Sequence, residues 1–153
     1  MNDIKQKAAY LKKKYNTSNP FEICEQMGIR IFYFDLPESV NGLFFKYFKN
    51  YIIIINSSLC YEECRVTAAH ELGHIILHKS VNSFQLMSNT DMPIQKLENE
   101  ADYFASCLLI DEKEIYSDYG GNTLTVRDVA CISRLPEKLV QLYINKSGLF
   151  PPA

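Results

Sequence analysis

Histidine is scarce in this sequence: 153 residues contain only three, at positions 70, 74 and 78. Chemistry that needs imidazole must therefore draw on this one cluster. The chain has five cysteines, at 24, 60, 64, 107 and 131, but the number is odd and no two form a CxxC pair. That pattern does not suit a secreted disulfide framework and fits a reducing cytoplasm. No apolar run is long enough to span a bilayer, and the charged, amphipathic first residues contain no signal-like apolar segment. A cytoplasmic protein with no membrane partner is expected. Positive charge is not in excess either: a net charge of −2 argues against nucleic acid as the main partner, because phosphate binding needs a dense basic surface.

What is present is ordinary for a globular chain. At 47% hydrophobic and 22% charged residues, the sequence leaves little room for extended disorder. There is no internal repeat. A single domain over 1–153 is expected, with the sheet and site helices in 1–110 and a helical subregion in 111–153.

Ile4, Ala8, Leu11 and Tyr15 recur at helical spacing, with Lys12–Lys14 read as part of the wet side. Asn19-Pro20 with Glu22 starts a short helix that Gly28 ends. Ile29–Phe34, Gly42–Phe48 and Tyr51–Asn56 read as strands, the last two joined by a tight turn at Lys49-Asn50. The expected class is α+β, with a small antiparallel three-stranded sheet packed on helices. Ile52–Ile55 lacks alternation, so that strand is expected to be buried on both faces. Asn56-Ser57-Ser58 offers caps for a helix from about Leu59 to His78. Residues 80–92 read as a loop, 94–109 as a helix, Gly120-Gly121 as a break, and the last residues, from Phe150, as a frayed end.

The central helix carries His70-Glu71-Leu72-Gly73-His74. Two histidines four apart lie about 40° apart around a helix and one turn along it, so both rings can reach one metal ion. Glu71 is free to act as a base. This HExxH arrangement points to zinc (Zn2+) and peptide hydrolysis. Catalytic zinc sites take three protein ligands, so a third is required. His78 lies a turn too far along the axis to converge easily and is read as a supporting group in the second shell. Cys60 and Cys64 read as helix packing. In the following helix, Glu98, Ala101, Asp102 and Ala105 share a face. The two alanines allow close approach near Gly73, which brings Glu98 to the metal. Asp102 can accept from the far nitrogen of a ligand histidine. Glu98 is preferred over Glu100, which remains the alternative.

Arg65-Val66-Thr67-Ala68-Ala69 running into His70-Glu71-Leu72-Gly73-His74-Ile75-Ile76-Leu77-His78, then Glu98-Asn99-Glu100-Ala101-Asp102-Tyr103-Phe104-Ala105 and Leu108-Leu109, resembles the ImmA/IrrE family of metallo-endopeptidases. The resemblance extends over residues 20–146. It implies a minimal zincin-like fold and a third ligand glutamate followed four residues later by Asp or Asn, a pattern that Glu98 and Asp102 match. It also implies a bacterial or phage setting and, as protein substrate, a helix-turn-helix repressor. One departure is visible: Ile110-Asp111 stands where the family often has Met-Pro.

Val126–Val140 has the outline of a helix-turn-helix, with Arg134 where the turn glycine usually sits. Packing on the catalytic domain, or docking a partner, is its more economical reading. The oxyanion donor is expected among the ten tyrosines, without a choice between them. The rival functions are a non-catalytic regulator that keeps its metal, and a DNA-binding regulator.

Overall fold

In the computed structural model, which describes residues 2–78, 94–118 and 124–148, the chain is α+β, with seven helices and three strands among those residues. The expected loop at 80–92, the break at Gly120-Gly121 and the end from Phe150 lie outside the described residues.

Helix α1 (Asn2–Tyr15) buries Ala8 and Leu11, as its spacing predicts. Helix α2 (Pro20–Gln26) starts at Asn19, whose side-chain oxygen accepts from the Phe21 N–H at 3.0 Å. Three strands follow: β1 (Arg30–Phe34), β2 (Gly42–Tyr47) and β3 (Asn50–Asn56). Phe48 and Lys49 form the turn between β2 and β3, one residue earlier than expected.

The sheet is not an antiparallel meander. Its order is β1-β3-β2, with β1 parallel to β3 and β2 antiparallel to it. Alternation along a strand reports which face a side chain takes, not which strand lies beside it. The most apolar strand takes the centre, where both of its edges find hydrogen-bond partners. The chain must then cross from β1 to the far edge before the hairpin returns, and Asn56 holds that crossover. Its Nδ2 donates to the carbonyls of Val40 at 3.0 Å and Leu36 at 3.2 Å, while its Oδ1 accepts from the Ser58 N–H and hydroxyl. Asn56 is buried, so these bonds satisfy a polar group that water cannot reach. It does not cap the next helix. Burial on both faces of β3 also needs correction: Ile53 and Ile55 are fully buried, whereas Ile52 and Ile54 are half-buried on the outer face.

Helix α3 (Tyr61–Leu77) covers the inner face of the sheet, and Glu63 accepts from the Cys60 N–H at its start. Helix α4 (Ile94–Leu109) packs along α3 with the boundaries the sequence predicts. Close approach is possible because a Cβ on Gly73 would stand only 3.2 Å from the Ala101 backbone and 3.1 Å from the Phe104 ring. Lys12 departs from its expected wet role: its Nζ donates to the carbonyls of Cys107 at 3.0 Å and Ile110 at 2.9 Å, closing the free end of α4. Burial pushes the Lys12 amine below its ordinary value, partly opposed by Asp111 and Cys107.

Helices α5 (Glu112–Asp118), α6 (Val126–Ser133) and α7 (Glu137–Ser147) complete the chain, with α7 against α4. The α6–α7 turn is docked on α3. Arg65 donates to the Ser133 carbonyl at 2.6 Å, and Arg134 donates to Glu62 at 3.2 Å.

Candidate metal centre

Helix α3 presents His70 and His74 on the face towards α4, and Glu98 meets them from α4. The Nε2 atoms of the two histidines are 3.0 Å apart; Glu98 Oε2 is 3.2 Å from His70 Nε2, and Glu98 Oε1 is 3.3 Å from His74 Nε2. Among the described residues, this is the group of histidine, cysteine and carboxylate side chains whose donor atoms converge as a metal site requires. Ligands about 2.0–2.1 Å from one tetrahedral ion stand about 3.3–3.4 Å from each other, close to the 3.2 and 3.3 Å between Glu98 and the two imidazoles, and the two-imidazole, one-carboxylate donor set suits a divalent metal ion. Glu100 does not join the group. It lies instead against His78, with Oε2 3.0 Å from His78 Nε2.

The rings are held from behind. His70 Nδ1 stands 2.8 Å from Asp102 Oδ1, and His74 Nδ1 stands 3.1 Å from His78 Nδ1. Phe44, from β2, stacks on the His74 ring with centroids 5.5 Å apart and planes 11° from parallel. Thus the sheet fixes the plane of one histidine and α4 fixes the other.

Charges follow the geometry. Burial depresses the His70 imidazole, but its hydrogen bonds to the Asp102 and Glu98 carboxylates and the charge of Glu71 outweigh it and push the group up to about 10. Burial holds His74 below its ordinary value, with Glu98 partly opposing. Hydrogen bonds from His70 and His74 hold the Glu98 carboxyl well below the usual carboxylate range. Burial lifts Glu71 to about 7, partly opposed by His70 and reinforced by Glu98. A buried carboxyl poised near neutral pH suits proton transfer.

His70, Glu71, His74 and Glu98 line an open cleft of about 550 Å³ together with Val40, Asn41 and Gly42. Sequence reasoning missed three contributors. Gly42 lets β2 approach α3: a Cβ there would lie 2.4 Å from Thr67 Cγ2 and 3.5 Å from Glu71 Cγ. Only the absence of a neighbour-sized side chain in a strand start hinted at this. Lys138, read as part of the helix-turn-helix outline, reaches the cleft and stands 3.6 Å from Asp102 Oδ2. Phe44 gave no signal beyond an apolar strand position. No tyrosine is among the described lining residues.

Residues 24–128 match the family described as IrrE N-terminal-like domain. Uncharacterized immunity region protein 2 of Bacillus phage phi105 is 36% identical over 140 residues, covering 91% of this chain and 87% of the phage protein. Metallopeptidase ImmA of Bacillus subtilis (strain 168) is 38% identical over 112 residues, covering 72% of this chain and 64% of its own length. Among solved structures, a Mycobacterium tuberculosis transcriptional regulator aligns with 95% of this chain at a TM-score of 0.65 and 13% identity, a likeness of fold. The chain spans about half of that regulator, 47%.

Proposed function

Because the chain belongs to the IrrE N-terminal-like domain family, whose relatives include a metallopeptidase, we propose that it is a zinc-dependent endopeptidase that cleaves a specific protein. The observation that carries this reading is the convergence of His70, His74 and Glu98 beside the buried carboxyl of Glu71. Zinc held by those three side chains would supply Lewis acidity and an acidified water. Glu71 then takes a proton from the attacking water and returns it to the departing amide nitrogen. Asp102 and His78 orient the two histidines from behind.

An extended substrate is proposed to add to β2. Both β1 and β2 are edge strands, but the start of β2 lines the cleft. Backbone hydrogen bonds there would give affinity, and side-chain pockets would give selectivity. The resemblance to the ImmA/IrrE family points to a repressor as the protein cut, and one relative is named for a phage immunity region. A helix-turn-helix repressor is the specific candidate.

DNA binding through α6 and α7 finds less support. Arg134 is engaged with Glu62 within the chain, and the net charge is −2.

The test uses zinc-loaded protein and a candidate helix-turn-helix repressor from the same genome, with products read by mass spectrometry. Glu71→Gln should keep zinc and the fold yet abolish cleavage; full activity in that variant overturns the mechanism. Glu98→Ala should abolish zinc binding while Glu100→Ala still binds the ion, though more weakly than wild type, and the reverse result reassigns the ligand. Cleavage by neither wild type nor variant, with tight repressor binding by both, would favour the non-catalytic regulator.

A further inference from the structure

The two histidines of the site are braced differently, and the difference has a chemical consequence. Asp102 meets the outer nitrogen of His70 directly. The outer nitrogen of His74 is met instead by a second imidazole, His78, one helical turn further along α3. Beyond it stands Glu100, whose Oε2 is 3.0 Å from His78 Nε2. Both imidazoles are buried, while Glu100 is partly exposed.

Two Nδ1 atoms 3.1 Å apart can share only one hydrogen. A neutral imidazole carries its hydrogen on one ring nitrogen and a lone pair on the other. If His74 offers the Nε2 lone pair to a metal, its hydrogen must sit on Nδ1 and point at His78. His78 Nδ1 must then accept, which forces the His78 hydrogen onto Nε2. That hydrogen finds Glu100, which as a carboxylate can only accept.

We infer that His78 and Glu100 form a directional relay that fixes the outer hydrogen of His74, with Glu100 as a positioning residue whose acceptor-only character sets the direction. This rests on the metal site proposed above. Without Glu100, His78 can place its hydrogen on Nδ1, where it confronts the hydrogen of His74 and disfavours the metal-binding tautomer. The residue that competes with Glu98 in the sequence thus serves the same ion from two groups away. Its other oxygen faces Lys96 at 4.0 Å across a solvent-exposed gap, so Lys96 adds little.

The test has two arms on the full chain. In zinc-loaded wild type, two-bond nitrogen–hydrogen NMR of the imidazoles should show His74 with its hydrogen on Nδ1 and His78 with its hydrogen on Nε2. A His78 hydrogen on Nδ1 overturns the relay, and this arm needs no substitution. In the second arm, zinc affinity is measured by competition with a coloured chelator. Glu100→Leu and His78→Phe should each weaken zinc roughly 10–100-fold. Glu100→Gln, whose amide oxygen can still accept but whose NH2 can also donate and so no longer sets the direction, should recover only part of the loss. Wild-type affinity in Glu100→Leu overturns the inference. Glu98→Ala separates the two levels: if it still binds zinc, the site itself is misassigned, whereas zinc loss there with unchanged Glu100→Leu removes only the relay.

Discussion

Gly73 and Ala101 meet across the α3–α4 interface with no space for a side chain between them. A Cβ on Gly73 would stand 3.2 Å from both the Cα and the carbonyl oxygen of Ala101. This contact sets how far α4 stands from α3, and therefore whether Glu98 reaches the two histidines.

Gly73→Ala should destabilise the protein even though alanine favours a helix by about 1 kcal/mol. The opposing atoms are backbone and a fully buried Phe104 ring, which cannot give without moving the helix. Overpacking of this kind costs about 1–3 kcal/mol, so the net loss should be up to about 2 kcal/mol by urea unfolding. Zinc affinity should fall with it. A variant as stable as wild type would mean that α4 can retreat freely.

Gly42→Ala brings a methyl group to within 2.4 Å of Thr67 Cγ2, closer than the crowding at Gly73. Thermal unfolding should show a loss, and Thr67→Ser, which removes that methyl, should recover part of it. The double-mutant cycle should give a coupling of about 0.5–3 kcal/mol; additivity would show that β2 shifts as a body.

Asp102 and Lys138 form one chain of contacts to His70, yet their removal should differ in scale. Asp102→Ala should weaken zinc roughly 10–100-fold by freeing the His70 ring. Lys138→Ala should change zinc affinity and stability little, because its side chain is 82% exposed and the pair is screened. Differential scanning fluorimetry reads both: zinc at 1,000 times its dissociation constant should add about 4 kcal/mol to wild-type stability. The same shift should survive in Lys138→Ala and vanish in Glu98→Ala.

Arg134 occupies a left-handed backbone conformation, φ 53° and ψ 48°, at the end of α6. That costs a side-chain-bearing residue about 1–2 kcal/mol, whereas the exposed Arg134–Glu62 pair returns only about 0.2–1 kcal/mol. Arg134→Gly should therefore raise the melting temperature by about 1–5 °C. A fall would show that the Glu62 contact, or the packing of the arginine stem, outweighs the backbone.

The helical half of this fold was legible because its signals are local. The apolar pattern of Val66, Ala69, Leu72, Gly73, Ile76 and Leu77 placed α3, and the face shared by Glu98, Ala101 and Asp102 brought α4 against it. Sheet pairing was not legible: nothing in the alternation of β1 says that β3, rather than β2, lies beside it. Asn56 was misread for a related reason, since a capping side chain and a loop-holding side chain have the same chemistry. Lys12 looked like its neighbours Lys13 and Lys14, and only the position of the α4 end, some 95 residues away in sequence, distinguishes it. For Glu98 over Glu100, the helix faces carried a preference. The separate destination of Glu100 depended on where His78 points, which helix periodicity alone does not supply.

Asn56 has one more consequence. By binding the Val40 carbonyl it joins the central strand to the wall of the cleft, so that wall and the floor beneath His74 form a single preorganised piece. If a chain seats along β2 as proposed, the receptor would then lose little conformational entropy, and the ordering penalty would fall on the incoming segment. Selectivity follows from that division: a segment already extended before it arrives gives up the least freedom, and one folded into a helix must first unwind.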